Sequence, residues 1–256
     1  RAYASTLAEK VTRPGRNSSA RLAHVSCFIG KSSVPKDPYI LAIGSHKGGT
    51  GRTTTALALA WLWSRSGIRV TLADVDPVRA AGLVALADGS CPWPNVRYAV
   101  TMPRPRDPGY DADLIVVDCP ALLSPAARPV LQRATTIILT VRADPLSLRT
   151  VPAAAAVLES ARADNPLLEL LGVLVGLYNE RDSLQPPIVE KLRHMHGPLL
   201  LDPAIPDDPA LRDWPLSPGG DLPEGPAASA FGVLAERLAG HIRRYSGVAS
   251  AAGGGV

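Results

Sequence analysis

IGSHKGGTGRTTTALALAWLWSRSG, residues 43–67, decides how the rest of the chain is read. It leaves a short apolar stretch, passes through a glycine-rich turn, and enters a helical segment that opens on three threonines. Gly48, Gly49 and Gly51 permit backbone angles closed to other residues, so successive N–H groups can face inward. The helix behind them adds the partial positive charge of its N-terminus. Together they form a cradle for an anion, phosphates above all. A tight strand-to-helix turn without a ligand is the plainer alternative, but three glycines, two cations and a Thr-Thr-Thr helix start argue against it. The spelling departs from the usual phosphate loop, G-x-x-x-x-G-K-[ST]. His46 stands where the first glycine belongs, Arg52 stands where the lysine belongs, and a lysine comes five residues early, at Lys47.

Outward from this stretch, short apolar runs alternate with helical patterns. YILAIGS, IRVTLADVDP, DLIVVDCP, TTIILTVRAD and LLGVLVGLYN read as strands, with VRYAVTM as a further one. TTTALALAWLWSRSG reads as a helix stopped by Gly67. RAAGLVALADG, PAARPVLQRA, LRTVPAAAAVLESARA, PPIVEKLRHMHG and ASAFGVLAERLAGHIRRYS read as further helices. Continuous apolar strands between helices imply an α/β fold with a mostly parallel sheet sandwiched by helices. Such sheets bind ligands at the carboxyl ends of their strands. The glycine loop, Asp76, Asp118 and Asn179 all fall at such ends.

With 46% hydrophobic but only 5% aromatic residues, the core is built mostly from Ala, Val, Leu and Ile. No apolar run reaches the roughly 18 residues that span a bilayer, and the start, at Arg1, carries no secretory hydrophobic region, so a cytoplasmic protein is expected. Residues 1–38 hold seven of the 27 basic residues but only two of the 23 acidic ones, leaving 20 against 21 in the remainder. This basic, Ser/Pro/Gly-rich stretch reads as a loosely ordered N-terminal extension with a short helix near STLAEKV; it is either a solvated leader or an arm for nucleic acid or an anionic membrane surface. Residues 39–246 read as one domain built around the anion cradle, and 247–256 as a flexible tail. Cys27, Cys91 and Cys119 fit neither a disulfide framework nor a zinc site and read as buried or incidental thiols. His194 and His196 read as surface or packing residues.

KGGTGRTT, residues 47–54, closely resembles the deviant Walker A motif of the ParA/MinD family, K-G-G-x-G-K-[ST]-[ST]. LADVDP resembles that family's D-x-D-P motif, LIVVDCP its Walker B strand, and GVLVGLYNERDSL and AIPDDPALRDW two later segments. The resemblance covers roughly residues 39–245, and the short spacing from Asp76 to Asp118 is similar to that of compact plasmid-type ParA proteins. It implies a P-loop NTPase fold, ATP/ADP with Mg2+ as cofactors, and a homodimer with ATP sandwiched between subunits. It further implies non-specific DNA binding, a ParB-like adaptor or activator, and association with the nucleoid. On this resemblance Gly48, Gly49, Thr50, Gly51, Arg52, Thr53, Thr54 and Asn179 bind nucleotide. Thr53 holds magnesium and Asp118 reaches it through water, Asp76 orients the attacking water, and Lys47 acts across the dimer on the partner's nucleotide. Arg181, Arg193, Arg212, Arg243 and Arg244 are candidates for DNA contact.

Arg52 is the main departure, because guanidinium is a planar fork where lysine is a compact point charge. Val78 and Ala121 are lesser ones. Two functions stay open: an ATPase that partitions or positions a plasmid, chromosome region or protein assembly, and a nucleotide-dependent dimer switch that barely hydrolyses. A metabolic synthetase of the same superfamily needs a substrate pocket for which the short inter-motif region leaves little room.

Overall fold

The computed structural model describes residues 37–252, with side chains through residue 242. Residues 1–36 of the expected leader, with its short helix and Cys27, the side chains of Arg243 and Arg244, and the last four residues lie outside the described part. In chain order the elements are β1 (Tyr39–Gly44), α1 (Arg52–Arg65), β2 (Val70–Asp74), α2 (Ala80–Ala85), β3 (Val96–Ala99), β4 (Leu114–Asp118) and α3 (Arg128–Leu131). They continue with β5 (Thr136–Arg142), α4 (Ser147–Ala161), β6 (Glu169–Gly176), α5 (Gln185–His196), β7 (Leu200–Leu201), α6 (Pro209–Asp213) and α7 (Pro226–Ala252).

The seven strands form one sheet in the order β3-β2-β4-β1-β5-β6-β7, with every pairing parallel. The expected parallel sheet between helices is therefore present. β1 lies between β4 and β5, where the winding changes direction, and the glycine loop leaves the sheet at this switch point.

Every residue of β1 is buried, because both faces of the strand are covered. Leu41 and Ile43 face one apolar layer with Leu57, Trp63, Phe231 and Leu234; Ile40 and Ala42 face the other with Val130, Val151, Leu158 and Leu192. Such two-sided burial is why the strands read as unbroken apolar runs and not as alternating patterns. Helix α1 is buried on nearly all sides, from Thr55 to Ser64 apart from Trp61. It ends as expected at Gly67, whose φ of +83° needs glycine and whose N–H reaches the Ser64 carbonyl.

Sequence reading misses β7 and α6, which are too short to show a period. Helix α7 runs on through residues 247–252, which read from the sequence as tail; their alanines favour helix.

Candidate functional site

The loop 45–51 carries the chain from the centre of the sheet onto the first turn of α1. Gly49 and Gly51 have φ of +72° and +83°, and nothing stands within 4 Å of where a Cβ would sit on Gly48, Gly49 or Gly51. The loop thus keeps open space on its glycine side, beside the first N–H groups of α1, which have no intrahelical acceptors. From below it is pinned by the neighbouring strands. Thr50 is buried with its hydroxyl 2.8 Å from that of Thr140 on β5. Gly176, at the end of β6, lies so close that a Cβ there would come 2.6 Å from the Thr50 carbonyl oxygen.

The acidic residues arrive from β2 and β4, whose last residues, Asp74 and Asp118, are paired in register. Asp118 is fully buried, and both of its oxygens are used. Oδ2 accepts from the Thr53 hydroxyl at 2.8 Å and Oδ1 from Arg52 Nε at 3.2 Å. Burial pushes its carboxyl up to about 6, with Thr53 and Arg52 working in the opposite direction. Asp74 is equally buried and its pKa is also raised by burial; one oxygen accepts from Tyr98 Oη and Gly82 N–H, and the other, Oδ1, has no partner among the described residues. Asp76 accepts from the Val78 N–H at 3.0 Å on Oδ1 and from Arg52 Nη2 at 2.5 Å on Oδ2.

The Arg52 guanidinium is engaged within the chain: Nε, Nη1 and Nη2 donate to Asp118, Ser45 and Asp76. Lys47 is also engaged, its Nζ lying 2.6 Å from Asp144 Oδ2 of the same chain. Burial raises the Asp144 carboxyl, but the bond from Lys47 and the N–H and hydroxyl of Ser147 outweigh it and hold the group below its ordinary value.

Thr54 lies half-buried on the first turn of α1. Asn179 is exposed beyond β6 and closes a turn by accepting the Arg181 N–H. Of the DNA-contact candidates, Arg181 is exposed, Arg193 makes two 2.8 Å bonds to Asp202, and Arg212 lies 3.6 Å from Asp207. Two of the three described arginines are thus tied to acids of their own chain. Cys119 is buried with its thiol raised to about 12, which makes it inert at neutral pH.

Sequence reading did not single out Ser45 or Tyr98, while Asp144 is the acidic residue between strand and helix in IILTVRADPLSLRTV, a stretch that also resembles the family pattern. Asp144 carries a local signal, an acidic residue three positions before the start of a helix, where carboxylates cap free N–H groups. Ser45 and Tyr98 carry none, since only the fold brings them to Arg52 and Asp74. Four exposed apolar side chains, Val78, Leu123, Leu146 and Leu184, lie in the loops beyond β2, β4, β5 and β6, at the same edge of the sheet.

The residues fit a nucleotide's phosphates: an open glycine cradle meets a helix N-terminus at a switch point. Thr53 and Asp118 supply the hard oxygen donors that magnesium takes. Among the described residues no cluster of three or more His, Cys, Asp or Glu could hold a metal unaided.

The family model described as the CobQ/CobB/MinD/ParA nucleotide binding domain matches residues 41–218. The chain is 33% identical to the chromosome-partitioning ATPase Soj of Thermus thermophilus, over 79% of this chain and 96% of that protein. It is 23% identical to the chromosome partitioning protein ParA of Caulobacter vibrioides, over 69% of this chain and 83% of that one. Its fold is similar to that of the septum site-determining protein MinD complexed with Mg-ADP from Pyrococcus horikoshii. There the TM-score is 0.61 and the identity 23%, covering 78% of this chain and 96% of that one.

Proposed function

The chain belongs to the CobQ/CobB/MinD/ParA family of nucleotide-binding proteins, and we propose that it is a ParA-like ATPase whose ATP-bound dimer binds DNA non-specifically and positions a cargo. One observation carries this reading: the glycine loop, Asp76 and Asp118 meet at the switch point of the sheet, inside the segment that matches the family. The loop amides hold the phosphates of ATP or ADP, and Asn179 lies towards the base. Magnesium, held by Thr53 directly and by Asp118 through water, would neutralise phosphate charge. Asp76 orients the water that attacks.

Lys47 serves the partner subunit. Its bridge to Asp144 is a single, half-exposed contact, which a phosphate oxygen can replace. Val78, Leu123, Leu146 and Leu184 offer apolar surface to a second copy around the same edge. DNA contact falls to Arg181, with Arg243 and Arg244 on the last helix and the basic residues 1–38. A ParB-like adaptor stimulates turnover, and the protein works in the cytoplasm on the nucleoid. Among the described residues no helix is long and apolar enough to cross a membrane.

Arg52 favours a second reading, a dimer switch that holds nucleotide and barely hydrolyses it, because the guanidinium occupies the Asp76 oxygen that would orient water. Magnesium-dependent ATP turnover, measured with and without DNA for the wild type and Arg52→Lys, separates the two. DNA-stimulated turnover by the wild type supports the ATPase. Turnover found only in the variant sinks it and leaves the switch. Lys47→Ala should abolish ATP-driven dimerisation in sedimentation; normal dimerisation refutes the role in trans.

A further inference from the structure

The two cations that flank the glycines do different work, and Arg52 does something a lysine cannot. It is the first residue of the 14-residue helix α1, and its side chain is only 13% exposed. Three different nitrogens reach three acceptors on separate segments: Ser45 in the loop, Asp76 beyond β2 and Asp118 on β4. A lysine places all its donors on one nitrogen and cannot span these positions. Thr53, the next residue, takes the remaining oxygen of Asp118.

The arrangement neutralises a place that would otherwise be strongly anionic. Asp118 is fully buried and Asp76 is 14% exposed, and a buried carboxylate needs a partner charge. A divalent ion often fills that need in phosphate sites. Here the guanidinium fills it first. A dication arriving beside this fixed charge meets like-charge repulsion, and it must also break the bond between Thr53 and Asp118. The loop amides and the helix N-terminus attract phosphates without any metal.

We propose that Arg52 is a built-in counter-cation, held between Asp76 and Asp118, so that the site takes a nucleoside di- or triphosphate with little dependence on magnesium. The proposal rests on the nucleotide-binding reading above and adds a specificity to it. Arg52 acts as a positioning and charge-balancing residue.

The test is binding of a fluorescent ADP analogue to the whole chain, wild type and Arg52→Lys, in magnesium and in EDTA. Wild-type affinity should change by less than about threefold between the two buffers. The variant should lose at least about tenfold in EDTA, since the metal then supplies the missing charge. A wild type that weakens as strongly as this in EDTA overturns the proposal and leaves the nucleotide site standing. So does a variant as indifferent to magnesium as the wild type. No binding by either protein in either buffer overturns both. Thermal melting of the wild type with magnesium alone supplies a readout that needs no variant: the midpoint should not move, and a magnesium-induced rise overturns the proposal.

Discussion

Lys47 in the glycine loop and Arg52 at the start of α1 stand five residues apart, yet they belong to two ion clusters of opposite character. Arg52 is enclosed and divides its donors among Ser45, Asp76 and Asp118. Lys47 is 31% exposed, and its partner, Asp144, is 29% exposed. The difference follows from where each acid originates. Asp118 ends a central strand covered on both faces, so water cannot solvate it and the protein must. Asp144 sits in a loop before α4, where solvent shares the work. An enclosed cation is part of the architecture, whereas a half-exposed one can be exchanged for a ligand.

The largest expected effect tests that contrast directly. Arg52→Ala leaves the buried Asp118 with Thr53 alone and should cost about 3–5 kcal/mol in urea unfolding at pH 7. Lys47→Ala should cost less than about 1 kcal/mol under the same conditions. Equal costs would erase the distinction.

Gly176→Ala probes the floor beneath both clusters. A methyl group 2.6 Å from the Thr50 carbonyl must push the loop, and a cost of about 1–3 kcal/mol is expected, together with weaker nucleotide binding. Undisturbed stability and affinity would mean that the loop has room to yield.

The clusters should also answer pH in opposite directions, in metal-free protein kept in EDTA. The folded-state pKa of Asp118 is raised from 3.8 to about 6. Its contribution to stability is therefore complete below about pH 4 and lost as pH rises through 6. That of Asp144 is lowered from 3.8, so its contribution is present above about pH 4 and lost as pH falls through the folded value. Urea midpoints against pH should show Asp118→Asn gaining on the wild type from pH 4 to 7. Asp144→Asn should close its gap to the wild type only below pH 4. Parallel curves for the two variants would contradict the assignment.

The smallest effect is expected at a third ion pair, between α5 and the residue that follows the edge strand β7. Arg193→Gln breaks the bond to Asp202, which lies about as exposed as the arginine; it should cost no more than about 1 kcal/mol. DNA affinity and its salt slope should stay unchanged, because the arginine is already spent within the chain. A flatter salt slope would return Arg193 to the DNA surface.

Much of the fold was legible in residue order because it depends on local pattern. Short, unbroken, β-branched runs such as LIVVD and TIILTV read as strands buried on both faces, and such strands call for helices on either side. The left-handed Gly49 and Gly51 were equally legible, since glycine takes that conformation without the cost of a Cβ. The two-residue β7 and the short α6 were not, because neither is long enough for a period to emerge. Within the site, residue types and their place at strand ends marked the glycine loop, Asp76 and Asp118. Direction stayed hidden. Nothing in KGGTGRTT says that the arginine turns onto two carboxylates 24 and 66 positions further along, or that the lysine finds Asp144. Sequence alone determined which groups meet at the edge of the sheet, because backbone pattern and glycine chemistry are local. Tertiary structure alone decided which charge neutralises which, because pairing depends on burial and on distances between strands that are remote in the chain.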